Sequence, residues 1–536
     1  MFEALRQKLH PITPFLILFG MALLVGGFLR LERYDTLLRF NTDQVRDIKI
    51  IQQMEMQGDW PLLGPKAGGT EFQLGPAFYY LEYLSGTLFG FTPSGTTLLI
   101  PILSLASLVL LYQLFRFIFS PTTSLTLMSI AAISFYLIKY ARFGWNPNFL
   151  LFFLLLFLLA LLHIIDPKEK HPLRWYAVLG VAMGIGMQLH TLSLLLMPFL
   201  FFIACGMSFL SARTQTLRRG GFTLALVFLC FIPVFLSEIT TQGANIQAFF
   251  VGIGMKTEDK ATDLNPLLVT FDFILQGTAV VLTGYEPRGQ WINPDAWKKA
   301  FSGINTLLFL FSLVITLGGS WFTIQKLRSA SITQDERRFY WGTVIFFITT
   351  LILFFLIGNE LNLRFFIILS LLPLLWLGMW LTTLESFLHK RQLSKIYPFI
   401  CLATILLLGA SNIQAYQDTY TFSRAESLTK TYGGISLSEA AGLAEAISHT
   451  LQTHPHYSKR LTSFEHERSL QYFLDAQNID LKTTKEVSDS PEGRFLILPL
   501  DTRASALDRY TGKFEPQQIT QVGRFKLFWL HPLSKE

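Results

Sequence analysis

The sequence predicts a polytopic α-helical membrane protein carrying a small α/β domain outside the bilayer. Three observations predict it. Hydrophobic residues make up 51% of the 536-residue chain and charged ones 15%, against roughly 25% charged in an ordinary soluble protein. Mean hydropathy is +0.41. The apolar residues fall in runs about as long as a spanning helix, ~17–25 residues, until the composition turns polar after Gln414. This balance excludes a set of soluble domains, a disordered chain and a fibrous repeat. Cys205, Cys230 and Cys401 all lie inside apolar runs, so no disulfide framework is expected. The net charge of +7 is not a nucleic-acid signal, because basic residues of membrane proteins gather on cytoplasmic loops.

Eleven runs are read as crossings: Pro14–Arg30, Thr97–Phe117, Thr122–Tyr140, Asn148–Ile165, Arg174–Leu189, Thr191–Ser211, Gly221–Glu238, Phe301–Thr323, Phe339–Gly358, Leu363–Leu384 and Tyr397–Gln414. Two further apolar stretches, Gly75–Phe91 and Pro266–Gly284, are decided by charge. The N-terminus carries Arg6 and Lys8, and four short basic connections follow: Asp166–Arg174, Arg213–Arg219, Gln325–Arg338 and His389–Lys395. All four share the cytoplasmic side with the N-terminus only if neither stretch crosses. Both are therefore expected to be re-entrant or interfacial helices on the outer face of a plasma membrane. The first run exceeds a signal-peptide core and no small-x-small cleavage pattern follows it, so it reads as an uncleaved anchor. An odd number of crossings puts the tail outside. Residues 1–414 are then the membrane domain, with a first outer loop at 31–96, and residues 415–536 are the extracytoplasmic α/β domain. In that domain Ser436–Thr450 reads as a capped amphipathic helix, Ser469–Gln477 as a second helix, and Phe495–Leu500 and Phe525–Leu530 as strands.

The chemistry-bearing residues cluster on the outer side. In the first loop, Asn41 or Thr42 is placed to cap a helix that sets Asp43 and Asp47 one turn apart on one face, with Arg46 between them. The bland alternative is that acids in a first turn only complement the helix dipole. The loop runs on through Tyr79 and Tyr80. After the third crossing come Arg142, Trp145, Asn146 and Asn148, residues suited to a polar headgroup; an aromatic belt with a snorkelling Arg is the plainer alternative. His190 sits between two crossings, and Glu360 and Arg364 bracket another outer turn. No metal-site spacing, Walker loop or dinucleotide fingerprint occurs. Metal ligands are assigned to none of these residues, and a divalent metal would lack a recognisable ligand motif.

The order of these parts resembles the GT-C superfamily of integral-membrane glycosyltransferases, in its branch of protein O-mannosyltransferases and aminoarabinose transferases. The resemblance rests on Asp43 in the first outer loop, on Gly75-Pro76-Ala77-Phe78-Tyr79-Tyr80-Leu81, on Tyr140-Ala141-Arg142, and on the Gly-rich stretch ending at His190. It spans roughly residues 14–400. Gly-Pro-Ala stands where the family usually has His-Pro-Pro, and Gln44 follows Asp43 where adjacent acids are common. The resemblance implies a GT-C-like fold, a polyprenyl-phosphate sugar donor, a hydroxyl acceptor on a glycan, lipid or protein, and inversion at the anomeric carbon. An anionic phosphate needs little protonation as it leaves, so one base and some positive charge suffice. Asp43 is then the general base, with Asp47 orienting it or binding acceptor. Arg142, Arg364, His190 and Arg46 are the phosphate ligands, and Tyr79, Tyr80, Trp145, Asn146, Asn148 and Glu360 line the substrate site. Two other classes stay open: a transporter or flippase of a lipid-linked sugar, and a non-catalytic scaffold of envelope assembly. Transporters usually show repeated halves and mid-membrane charges, and neither is evident here.

Overall fold

The computed structural model describes residues 12–166, 168–209, 213–258, 265–287, 291, 303–357, 361–420, 434–484, 492–500, 502, 507–508, 510 and 513–533. It is a helical bundle joined to a small mixed sheet. Helix α1 (Ile12–Leu31) leads into a long loop containing α2 (Thr42–Gln57) and α3 (Ala77–Phe89). The bundle continues with α4 (Leu99–Phe115), α5 (Pro121–Ile133), α6 (Phe135–Tyr140), α7 (Leu150–Ile164), α8 (Pro172–Gly186), α9 (Thr191–Phe209) and α10 (Arg213–Thr240). After α11 (Ala244–Glu258) come α12 (Pro266–Thr283), α13 (Ile304–Arg328), α14 (Gln334–Ile357), α15 (Leu371–Lys390) and α16 (Tyr397–Tyr420).

Nine helices among the described residues are long and apolar enough to cross a membrane. This set includes α12, whereas α1 and α5 are shorter apolar helices and α8 has 15 residues. The third predicted crossing is broken because Ser134 adopts φ −59°, ψ 114°. A distant side chain meets the backbone donor at the break, Asn412 Oδ1 accepting from Phe135 N at 2.7 Å, and Ser134 Oγ itself donates to Val281 O at 2.7 Å.

Contacts between connections sort the two ends of the bundle. Arg338 meets Asp166 at 3.4 Å, and Arg219 lines one surface recess with Lys170, His171 and Arg174. Glu385 and Tyr397, flanking the last basic connection, reach Ser120 (3.1 Å) and Thr123 (2.6 Å) at the start of α5. Phe117, just before α5, stacks on Phe339. All four basic connections thus share one face. The long loops share the other: Gln73 N donates to Asn245 after α10, and Lys139 pairs with Glu286 after α12 at 2.5 Å. The C-terminal end of α12 also meets this loop face, with Thr283 O accepting from Ser411, and Phe273 packs on Phe354 and Phe366. Helix α3 does the same: Ala77 N donates to Gln188, and Ser85 donates to Gly95 O.

The C-terminal part has α17 (Leu437–Thr453), α18 (Glu467–Asp475) and five strands: β1 (Arg460–Thr462), β2 (Lys482–Thr484), β3 (Arg494–Pro499), β4 (Phe514–Val522) and β5 (Phe525–Pro532). The sheet order is β2-β1-β3-β5-β4; β1 pairs parallel with β2 and β3, and β5 antiparallel with β3 and β4. The α17 cap is Ser436, in a capping box with Glu439. The sheet core does not close on itself. Phe40, Val45 and Ile48 of the first loop are packed into it with Leu443, Ile447, Leu470 and Phe525.

Candidate active site

Helix α2 is amphipathic: Val45, Ile48 and Ile51 are buried, and its acids fall on the edge of that stripe. Gln44 anchors its first turn. Its Oε1 accepts from Asn41 N at 3.0 Å while its Nε2 donates to Gly144 O at 2.5 Å. Asp43 is left exposed, at 61% of its side-chain area, whereas Asp47 retains only 4%. Arg46 lies between them, 3.1 Å from Asp43 Oδ1 and 2.8 Å from Asp47 Oδ1. Burial pushes the Asp47 carboxyl up to about 7, against the pull of the Arg46 guanidinium and a hydrogen bond from Tyr79. The Tyr79 hydroxyl is in turn raised, by burial first and then by the Asp47 charge.

One residue of this group was not expected from the sequence. Glu82, one turn beyond Tyr79 on α3, is buried to 1% exposure. Its carboxyl is raised well above the ordinary range, by burial first and then by Asp47. Glu82 Oε1 has no hydrogen-bond partner among the described residues. It lies so near Gly144 that a Cβ there would come within 2.8 Å of it. Gln44, Asp47, Glu82, Thr96, Thr97 and Gly144 line one small cavity. The available signal was a lone Glu in the otherwise uncharged run Gly75–Phe91.

A second group lies on the other side of the segment 143–148. The exposed Arg364 guanidinium is 6.0 Å from the Trp145 ring centroid and 4.9 Å from that of Phe365, and His190 meets Phe365 edge-on at 5.7 Å. Asn146 Nδ2 donates to Leu189 O at 2.7 Å, which ties this segment to the start of α9. His190 Nδ1 accepts from Leu192 N, so part of its role is to cap that helix. Asn148 is buried and donates to Phe143 O.

The remaining expected residues are elsewhere. Arg142 is 2% exposed and points back at the end of α1, donating to Leu29 O and Glu32 O at 2.7 and 2.6 Å. That geometry departs from the expected phosphate role, since two carbonyls already occupy its fork. Tyr80 donates to Pro61 O and packs on Trp60 rather than joining Asp47. Glu360 lies outside the described residues. No three His, Cys, Asp or Glu side chains among the described residues converge as metal ligands would.

Residues 73–236 match the family model described as dolichyl-phosphate-mannose-protein mannosyltransferase. The match takes in Tyr79, Glu82, Trp145 and His190, and leaves Asp43, Asp47 and Arg364 outside. It bears out the resemblance read from the sequence over that segment, and the coarse class it supports is a GT-C-type membrane glycosyltransferase. The fold is similar to that of ArnT from Cupriavidus metallidurans in its apo state, at 12% identity over 97% of this chain and 98% of that one, TM-score 0.48. ArnT bound to undecaprenyl phosphate aligns at 13% identity over 96% and 98%, TM-score 0.45. Archaeal oligosaccharyltransferase AglB from Archaeoglobus fulgidus, in complex with an inhibitory peptide and a dolichol-phosphate, aligns at 10% identity over 96% and 74%, TM-score 0.48. Among curated protein sequences none matches.

Proposed function

We propose that this protein is an inverting glycosyltransferase that moves a sugar from a polyprenyl-phosphate donor to a hydroxyl acceptor, with Asp43 as general base. The observation that carries the reading is the segment 143–148. Gly144 O accepts from Gln44 of the acidic helix and its missing side chain leaves room for Glu82, while the adjacent Trp145 lies beside Arg364. An acid face and an exposed cation flank one short loop, on the face opposite the basic connections. By the positive-inside rule that face is the outside of the cell membrane. Among the described residues Arg364 has no carboxylate partner, whereas Arg46 is taken up by Asp43 and Asp47. Arg364 is therefore the better phosphate ligand of the two.

The step balances simply. The acceptor oxygen forms a bond to the anomeric carbon while the bond from that carbon to the phosphate oxygen breaks, its electron pair leaving on phosphate. The acceptor proton passes to the Asp43 carboxylate. Arg46 orients that carboxylate from 3.1 Å, and Arg364 meets the charge growing on phosphate. The polyprenyl tail lies against apolar helix faces open to lipid.

The test is transfer from a panel of synthetic polyprenyl-phosphate sugars by purified protein, with Asp43→Asn alongside. Loss of a general base should lower turnover by ~10²–10⁴-fold with thermal stability unchanged. An Asp43→Asn variant of full activity would remove Asp43 from the chemistry. Movement of the donor across vesicles without sugar transfer would favour the transporter class.

A further inference from the structure

Glu82 and Asp47 are two buried carboxyls facing one small cavity, and among the described residues Arg46 is the cation that pairs with Asp47 and also acts on Glu82. Both ionised at once would leave an excess buried negative charge, which is too costly to persist. The groups around the pair are few: Asp43 and Arg46 from α2, Tyr79 from α3, and the Tyr34 hydroxyl, which donates to Thr97. Tyr34 and Tyr79 are neutral hydroxyls, so they add no charge to balance a second carboxylate.

We propose that Glu82 shares one proton with Asp47 and is a positioning residue for the acidic face of α2. The geometry carries this: Glu82 is wholly buried, its Oε1 lacks a partner among the described residues, and Gly144 leaves room for it beside Gln44 and Asp47. With one proton on the pair, its single negative charge is matched by Arg46, which stays between Asp47 and Asp43. With two protons, Asp47 is neutral and Arg46 turns wholly to Asp43, quenching it. With none, repulsion between the two carboxylates splays α2 from α3 and displaces Arg46. Only the singly protonated pair holds Asp43 in place. The raised carboxyls of both residues agree with this. The positioning role rests on the proposed transferase reading; the shared proton does not.

Two measurements on the full-length protein test it. Turnover of the wild type should be bell-shaped in pH, and Glu82→Gln should keep the acid limb and lose the alkaline one, because an amide cannot give up that proton. A purely structural Glu82 would leave the shape of the profile unchanged, and an identical bell in Glu82→Gln, or no alkaline limb in the wild type, overturns the proposal. Infrared spectroscopy supplies a readout free of turnover. A protonated-carboxyl band should be present at neutral pH in the wild type, disappear as pH rises, and be absent in Glu82→Gln. Persistence of that band in the variant overturns the shared proton. Because the wild-type titration stands alone, a variant that does not fold leaves the test intact. Activity abolished by chelation and restored by a divalent cation would assign the pair to a metal and overturn the proposal. A wild type inactive on every donor but showing the titrating band would fail the transferase reading while keeping the shared proton.

Discussion

Carbonyls at the end of a helix have no intrahelical donors, and Arg142 supplies them to α1 from 110 residues away in sequence, through Nη1 to Leu29 O in its last turn and Nη2 to Glu32 O just beyond it. Its guanidinium also lies 4.6 Å from the Tyr420 ring centroid, so one side chain ties α1, α6 and α16 together at the loop face. On sequence grounds Arg142 is a phosphate ligand, and Arg142→Lys would then damage turnover. The geometry reverses that expectation. Lys reaches one carbonyl and loses the second, leaving a buried acceptor unpaired at a cost of ~1–3 kcal/mol. Arg142→Lys should therefore lower the Tm while kcat per folded molecule stays within about twofold, since a group outside the site leaves the transition state untouched. Steady-state kinetics beside a thermal melt decides it: a large fall in kcat at unchanged Tm would return Arg142 to the site.

Helix α2 is held at its start by the C-terminal domain. Phe40 N donates to Ile435 O, Leu437 N to Leu38 O, and Ile435 N to Asn41 Oδ1; farther along, Lys49 pairs with Asp475. The acids of the site thus sit on a helix whose N-terminus is fixed by residues some 400 positions later. Beneath this seam Glu439 and Arg524, both 2% exposed, form a buried pair at 2.5 Å, and Glu439 also accepts from Ser436 N. Burial draws the Glu439 carboxyl upward, but the Arg524 guanidinium and the backbone donors outweigh it, so the net shift is downward. A lowered acid stabilises the fold above its unfolded-state value, 4.5 for a free Glu. That stabilisation is lost as pH falls through the folded value. Glu439→Gln should cost ~3–5 kcal/mol at pH 7 by leaving the buried Arg524 charge without its carboxylate, and should flatten the acid-side decline expected of the wild type. Hydrogen exchange over residues 434–453 and 38–48, read against pH, checks both. Equal protection in the two proteins at pH 7 would deny the pair any part in docking.

Across the whole molecule, four basic connections gather at one end and the acidic helix, the aromatic segment and the C-terminal sheet at the other. The bilayer enforces that sorting, because a buried chain reversal would strand backbone groups in hydrocarbon. Cysteines placed at exposed Gln57 and Gln452, with the native thiols removed, should react with an impermeant reagent added to intact cells, and one at Thr214 should not. Protection at Gln452 with reaction at Gln57 would mean that α12 crosses fully.

Hydropathy and helical spacing are local quantities read against a uniform solvent, and they suffice for the helical bundle and for the turn that carries Asp43 and Asp47 on one helix. The α17 helix was legible for a similar reason, since its amphipathic pattern and the serines ahead of Glu439 are consecutive in sequence; that the cap is Ser436 rather than Ser438 the structure decides. Pairing between distant segments has no such local signature. Nothing near Arg142 shows that its partners are Leu29 and Glu32, nothing near Ser134 shows that Asn412 supports its break, and nothing near Phe40 shows that it belongs to the core of a sheet beginning at Arg460. Glu82 is the clearest case. In sequence it is an isolated charge in an apolar run; its partner Asp47 and the space beside Gly144 exist only once α2, α3 and the 143–148 segment are packed, because desolvation is a property of the surroundings and not of the residue.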